Sequence, residues 1–152
     1  MTTSGKNKTV AAWLAFVGGP LGLHRFYLGG MADTLGWLLP IPTALGLYGI
    51  RRAQQYGLDD VWCWVLIPLL GCVVAATSLT AIVYGLMQPD RWNARHNPQS
   101  PPDAPAGRTR WLTIYAVAGA LLLGTGALMA ALAFGFEHYF NYMLDQDKTS
   151  QT

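Results

Sequence analysis

His24 and Arg25, inside the block Gly-Leu-His-Arg-Phe-Tyr-Leu-Gly-Gly from Gly22 to Gly30, are the residues of this chain best suited to chemistry. A guanidinium beside an imidazole can hold a phosphate or a carboxylate through charge-assisted hydrogen bonds. The flanking runs, Thr9 to Leu23 and Thr34 to Ile50, carry no charged residue. A cation lodged between such runs belongs at a turn, at a membrane interface or in a protein-lined pocket, because charge in hydrocarbon is costly. Two readings of His24, Arg25, Phe26 and Tyr27 follow. In one they recognise an anionic lipid headgroup or an acidic side chain on a partner. In the other they are structural, with Arg25 snorkelling to headgroup phosphates while Phe26 and Tyr27 wedge at the interface. Gly18, Gly19, Gly22, Gly29 and Gly30 are assigned to the turn itself.

Other chemistry lacks its parts. His24, His96 and His138 fall in three separate regions without a nearby partner pair, so no metal site is expected. Cys63 and Cys72 would sit on one helix at a spacing that points them to opposite faces, which prevents a bridge between them. No glycine-rich phosphate loop or nucleophile motif is present. No acidic residue interrupts the apolar runs, which removes the usual signature of a proton relay or cation carrier. Neither catalysis, nor a cofactor, nor a nucleic-acid partner is expected.

The elements that must position the block are set by composition. The chain has 152 residues, 52% of them hydrophobic and 12% charged, where soluble domains carry about 25% charged residues. Val61 to Gln88 and Trp111 to Phe136 are free of Asp, Glu, Lys, Arg and His. Both exceed the ~20 residues that cross a hydrocarbon core. Trp62, Trp64, Tyr84, Trp111, Tyr115, Phe136, Tyr139, Phe140 and Tyr142 cluster near their ends, as an interfacial aromatic belt would. The two earlier runs are shorter. The first must extend through Tyr27 to cross, and the second carries Pro40 and Pro42, which predict a kink.

The expected fold is therefore all-α: an integral membrane protein with four transmembrane helices, the first two a tight hairpin that turns at the motif. Its parts are the hairpin over 6–56, a third helix over 57–88, a polar proline-rich loop over 89–110, a fourth helix and exit over 111–142, and a flexible tail over 143–152. Within the loop, Asp90 to His96, with Arg91 and Arg95 four apart, reads as a short interfacial helix and 97–107 as an irregular or disordered connector. Four crossings place both termini on one side, with the motif and the 88–110 loop on the other. Each side then holds five Lys and Arg, and the positive-inside rule returns a tie.

Small residues recur every fourth position in Ala11, Ala15 and Gly19, in Thr77, Ala81 and Gly85, and in Ala116, Ala120 and Gly124. These rows suit close helix contact, either within one bundle or between chains. The expected partners are membrane lipids and a membrane protein or a second copy.

The block from Gly22 to Gly29, preceded by Lys6, Lys8, Ala11 to Phe16 and Gly18-Gly19 and followed by Gly36, resembles the two-transmembrane ("TM-two") domain family over residues 6–50. The resemblance implies a helical hairpin whose turn carries an Arg-Phe pair, here Arg25 and Phe26. Animal relatives have Asp-Arg-Phe at that turn, where this chain has His24. Bacterial relatives are small membrane proteins, which implies a bacterial inner membrane. The function expected is a non-enzymatic membrane interaction or scaffold module. The alternative is a small transporter, channel subunit or lipid-handling protein with a polar pocket lined by Thr43, Ser78 or Thr80.

Overall fold

A computed structural model describes residues 5–58 and 60–150, with side chains beyond Leu144 described only for Gln146. Every regular element among them is helical. Helix α1 (Lys8–Val17) starts where the Asn7 side chain accepts the Thr9 N–H at 2.9 Å and stops at Gly18. A 3-10 turn, Gly19–Leu21, follows. Gly22, with φ of 75°, then directs the chain into α2 (Leu23–Gly29). That left-handed conformation costs other residues about 1 kcal/mol or more, so the fold-back occurs where glycine permits it. The two arms are antiparallel: the Asn7 N–H donates to the Tyr27 hydroxyl at 2.8 Å, and Lys6 Nζ donates to the Leu28 carbonyl. Ten residues of helix reach only about 15 Å, so the hairpin returns to the end from which it started.

Helix α3 (Thr34–Leu38) is capped by Asp33, whose carboxylate accepts the Leu35 N–H at 3.0 Å. After Leu39 alone the chain enters α4 (Pro40–Tyr56). The interruption has a local cause, since Pro40 and Pro42 lack the N–H groups that would bond the carbonyls of Gly36 and Leu38. Where the proline pair predicts a kink, the structure shows an interrupted hydrogen-bond ladder at Leu39, whose backbone stays helical with φ of −60° and ψ of −37°. Helix α4 runs to the opposite end, where the Arg52–Asp60 ion pair closes the connection to α5 (Val61–Leu86). Helix α5 returns to the first end. There α6 (Pro89–His96) lies across the bundle, and α7 (Trp111–Ser150) runs back along α5.

Helix α5 is the centre of the molecule, packing against α1, α4 and α7. Gly46 and Gly49 of α4 meet Leu70 and Leu66, and Cys63 Sγ lies 3.5 Å from the Gly49 carbonyl. Ala15, Ala81 and Ala120 form one buried cluster joining α1, α5 and α7, with Gly19 against Thr77 and Gly124 against Ser78. The small-residue rows thus face one another inside one bundle, where close backbone approach supplies the packing. Cys63 is buried and Cys72 exposed, as their opposite faces require. The outward face is apolar: Val65, Leu79, Val83 and Leu86 on α5, with Leu121, Leu122, Leu123 and Met129 on α7, are exposed. Both α5 and α7 are long and apolar enough to cross a membrane.

Several expectations change. The first apolar run is not one helix reaching Tyr27. It breaks at Gly18 and folds back at Gly22, so the hairpin's turn precedes the motif instead of containing it. The amino terminus consequently shares an end with the motif and the 88–110 segment, where the sequence reading had set them on opposite sides. The 97–107 connector is irregular up to a 3-10 turn at Pro105–Gly107, as one of its two readings had it, and is tied back to α6: Asn93 Nδ2 donates to the carbonyls of Pro102 at 2.9 Å and Ala104 at 3.1 Å. Helix α7 continues to Ser150, taking in most of the stretch expected to fray.

Candidate interaction site at the basic end

Helix α2 carries His24, Arg25, Phe26 and Tyr27 together, but their side chains go to separate internal partners. His24 is buried, its ring 6.0 Å from that of Tyr84, and its Nδ1 has no hydrogen-bond partner among the described residues. Arg25 Nη1 reaches Asp33 Oδ2 at 3.3 Å, which ties α2 to the cap of α3. Partial burial alone would raise the Asp33 carboxyl. The hydrogen bond from Arg25 and the N–H groups of Leu35 and Gly36 outweigh it and hold Asp33 below its usual value. The Phe26 ring lies over Gly36 and 5.2 Å from the ring of Trp37. Tyr27 uses its hydroxyl on Asn7. The four side chains diverge: Tyr27 bonds back to the start of α1, Arg25 and Phe26 contact Asp33 and α3, and His24 packs on Tyr84 of α5.

The turn glycines divide by role. A Cβ on Gly22 would collide with the carbonyl of Gly36, and one on Gly19 with Thr77. Gly18 lies under the Leu23 side chain, Gly29 is helical beside Asp33, and Gly30 ends α2 with φ of 79°.

A second cluster at the same end went unread in the sequence. Lys8 has no exposed surface, and its Nζ donates to the Met87 carbonyl at 2.8 Å and to Thr109 Oγ1 at 2.7 Å. It therefore places a cation at the carboxyl end of α5, where the helix dipole favours one. Thr9 and Thr113 join their hydroxyls at 2.7 Å. Trp92, fully buried, donates from Nε1 to the Lys6 carbonyl at 2.8 Å, and Asn97 bonds both the Lys6 N–H and its carbonyl. The His96 ring lies tilted against Trp92, with ring centroids 4.3 Å apart. Burial first, then the Arg95 and Lys6 cations, push its pKa below the ordinary value. The signal in the sequence was helical spacing, since Trp92, Asn93, His96 and Asn97 share one face of α6 and its extension, while Arg91 and Arg95 share the opposite one.

Charge divides sharply between the two ends. The hairpin end gathers seven cations, Lys6, Lys8, Arg25, Arg91, Arg95, Arg108 and Arg110, against three carboxylates, Asp33, Asp90 and Asp103. By position in the chain the described residues toward the other end include Arg51, Arg52 and Lys148 against Asp60, Glu137, Asp145 and Asp147. His138 lies toward that other end, 5.3 Å from Trp64, as the sequence had placed it relative to His24 and His96.

Fold and site together describe a helical-hairpin domain bound to long apolar helices. Residues 4–50 match the family model of the TM2 domain. The match covers about a third of the chain and agrees with the resemblance read from the glycine-flanked block. Helices α5, α6 and α7 lie outside it. Comparison with curated proteins and with solved structures gave no match.

Proposed function

We propose that the chain is a non-enzymatic, multi-pass protein of a bacterial inner membrane, acting by association rather than by a reaction. One observation carries the membrane reading: α5 and α7 wrap a core of small residues in an outer surface of exposed Leu, Val and Met. In water such a continuous apolar surface would drive aggregation, and in hydrocarbon it is the solvated face. Helices α3 and α4 make one crossing, α5 the second and α7 the third, while α1 and α2 enter and leave from one side. Seven cations against three support a cytoplasmic side for the hairpin, α6 and the amino terminus, since an amino terminus at the motif's end breaks the tie.

The TM2 motif serves in this reading as a fastener for the hairpin, and the module contributes a rigid cytoplasmic platform to an assembly in the membrane. Carbonate-resistant membrane association, with a homo-oligomer or a fixed companion in native mass spectra from mild detergent, supports the proposal. Release by carbonate, or a monomer in every detergent and lipid tested, contradicts it.

A lateral groove favours a second, lipid-handling reading. Between α5 and α7 a cavity of about 360 Å³ is lined by Cys72, Ala76, Ser78, Gly124 and Thr125, and Ser78 Oγ is buried there without a partner among the described residues. The other proposed pocket hydroxyls are engaged, Thr43 with the Pro20 carbonyl at 2.7 Å and Thr80 with that of Ala76 at 2.9 Å. A water-filled path would make Cys72 reactive to polar thiol reagents in membranes. A lipid-filled groove leaves it unreactive.

A further inference from the structure

We infer that the exposed arginine face of α6 and the segment after it is a docking surface for anionic phospholipid headgroups of the leaflet that it meets. The inference rests on the membrane reading and names the partner of its basic end. Trp92 and Asn97 tie α6 to the Lys6 backbone ahead of α1, and Asn93 ties it to the carbonyls of Pro102 and Ala104, all from its inner face. The opposite face is left outward. That face presents Arg91 and Arg95 one turn apart, and the chain brings Arg108 and Arg110 back just before α7; all four are exposed. Among the described residues the ion pairs are Arg25–Asp33 and Arg52–Asp60, and none of these four guanidinium groups is in one.

Position favours a lipid over a soluble anion. Two residues separate α5 from α6, and Arg110 directly precedes the apolar α7, so the four arginines are tethered at the mouths of two crossing helices. The exposed indole of Trp111 marks the interfacial level there. Planar guanidinium groups held at that level meet phosphates in the geometry that they bind best, with two parallel N–H donors each. The motif's own arginine does not compete for this role, because Arg25 is engaged with Asp33.

The test uses the full chain purified into nanodiscs of phosphatidylcholine doped with fluorescent phosphatidylglycerol or fluorescent phosphatidylcholine. The variant is Arg91→Gln with Arg95→Gln, which leaves the basic end ahead of the other by five cations to three and so preserves the charge bias for insertion. Each cation close to an anionic surface contributes up to about fivefold in association. The wild type should enrich phosphatidylglycerol over phosphatidylcholine, the variant should lose tenfold or more of that preference, and 1 M salt should weaken it in the wild type. Arg51→Gln at the opposite end should leave it unchanged. Equal association of the two lipids with wild type, or a preference retained by the double variant, overturns the inference. So does capture of an acidic protein through these arginines without any lipid preference. Failure of the membrane reading would show itself earlier, as protein that does not enter nanodiscs.

Discussion

Replacing Lys8 with Met should loosen the whole basic end, because one buried ammonium joins three parts of the chain. Lys8 leads α1, and its Nζ bonds the carbonyl that follows α5 and the hydroxyl that precedes α7. Hydrogen bonds from charged donors contribute about 1.5 to 3 kcal/mol each after desolvation, and two acting on one group are not additive. A loss of about 3 kcal/mol is the reasonable expectation for Lys8→Met. In a chain of this size 1 kcal/mol shifts a melting midpoint by about 2 to 4 °C, so the midpoint in detergent should fall by about 6 to 12 °C. The amino terminus should become open to proteolysis in the same variant. Arg51→Gln, exposed at the other end, serves as the control and should move the midpoint little. A Lys8→Met midpoint within about 2 °C of wild type, with the amino terminus still protected, would refute the idea that Lys8 clamps the hairpin to α5.

Three further outcomes follow from named contacts. Gly22→Ala adds about 1 kcal/mol of left-handed strain and about 1 to 3 kcal/mol of overpacking against the Gly36 carbonyl, whereas Gly126→Ala, with open space around it, should be neutral or slightly stabilising in the same melts. If the motif is a fastener, Arg25→Ala and Asp33→Asn should lower membrane abundance and lipid retention in parallel, and the double variant should be no worse than the worse single one; loss of lipid at unchanged abundance would make Arg25 a recognition residue instead. Docking of α6 should weaken as pH falls. His96 is held below its ordinary pKa, so above about 6.5 both docked and undocked forms are neutral, and below it the undocked form takes up a proton that the docked form resists. Hydrogen exchange of α6 amides, corrected for intrinsic rates, should rise between pH 8 and pH 5 in wild type and stay flat in His96→Phe; a flat wild-type profile contradicts this.

How much of this was legible in the sequence depended on the range of the interaction. The long uncharged runs revealed α5 and α7, since length and composition are local properties, and the four-residue spacing of Arg91 and Arg95 marked α6. The opposite faces of Cys63 and Cys72 followed from helix geometry alone. The fold-back at Gly18 to Gly22 was hidden because those glycines were assigned to a turn centred on the motif, and hydropathy does not record the direction a chain takes after a glycine. Lys6 and Lys8 resembled ordinary flanking cations. Their partners, Leu28, Met87, Asn97 and Thr109, lie 22 to 101 residues away, and backbone carbonyl acceptors leave no trace in side-chain pattern. The charge tie came from where the amino terminus was set, since counting Lys6 and Lys8 at the motif's end of the molecule turns five against five into seven against three.

Dual reporters fused to the two termini of the full chain, one active only in the cytoplasm and one only outside it, test the central claim most directly. A hairpin that returns to its own side, followed by three crossings, puts the amino terminus in the cytoplasm and the carboxyl terminus outside. Both termini on the same side of the membrane would mean an even number of crossings, two or four, and contradict the account.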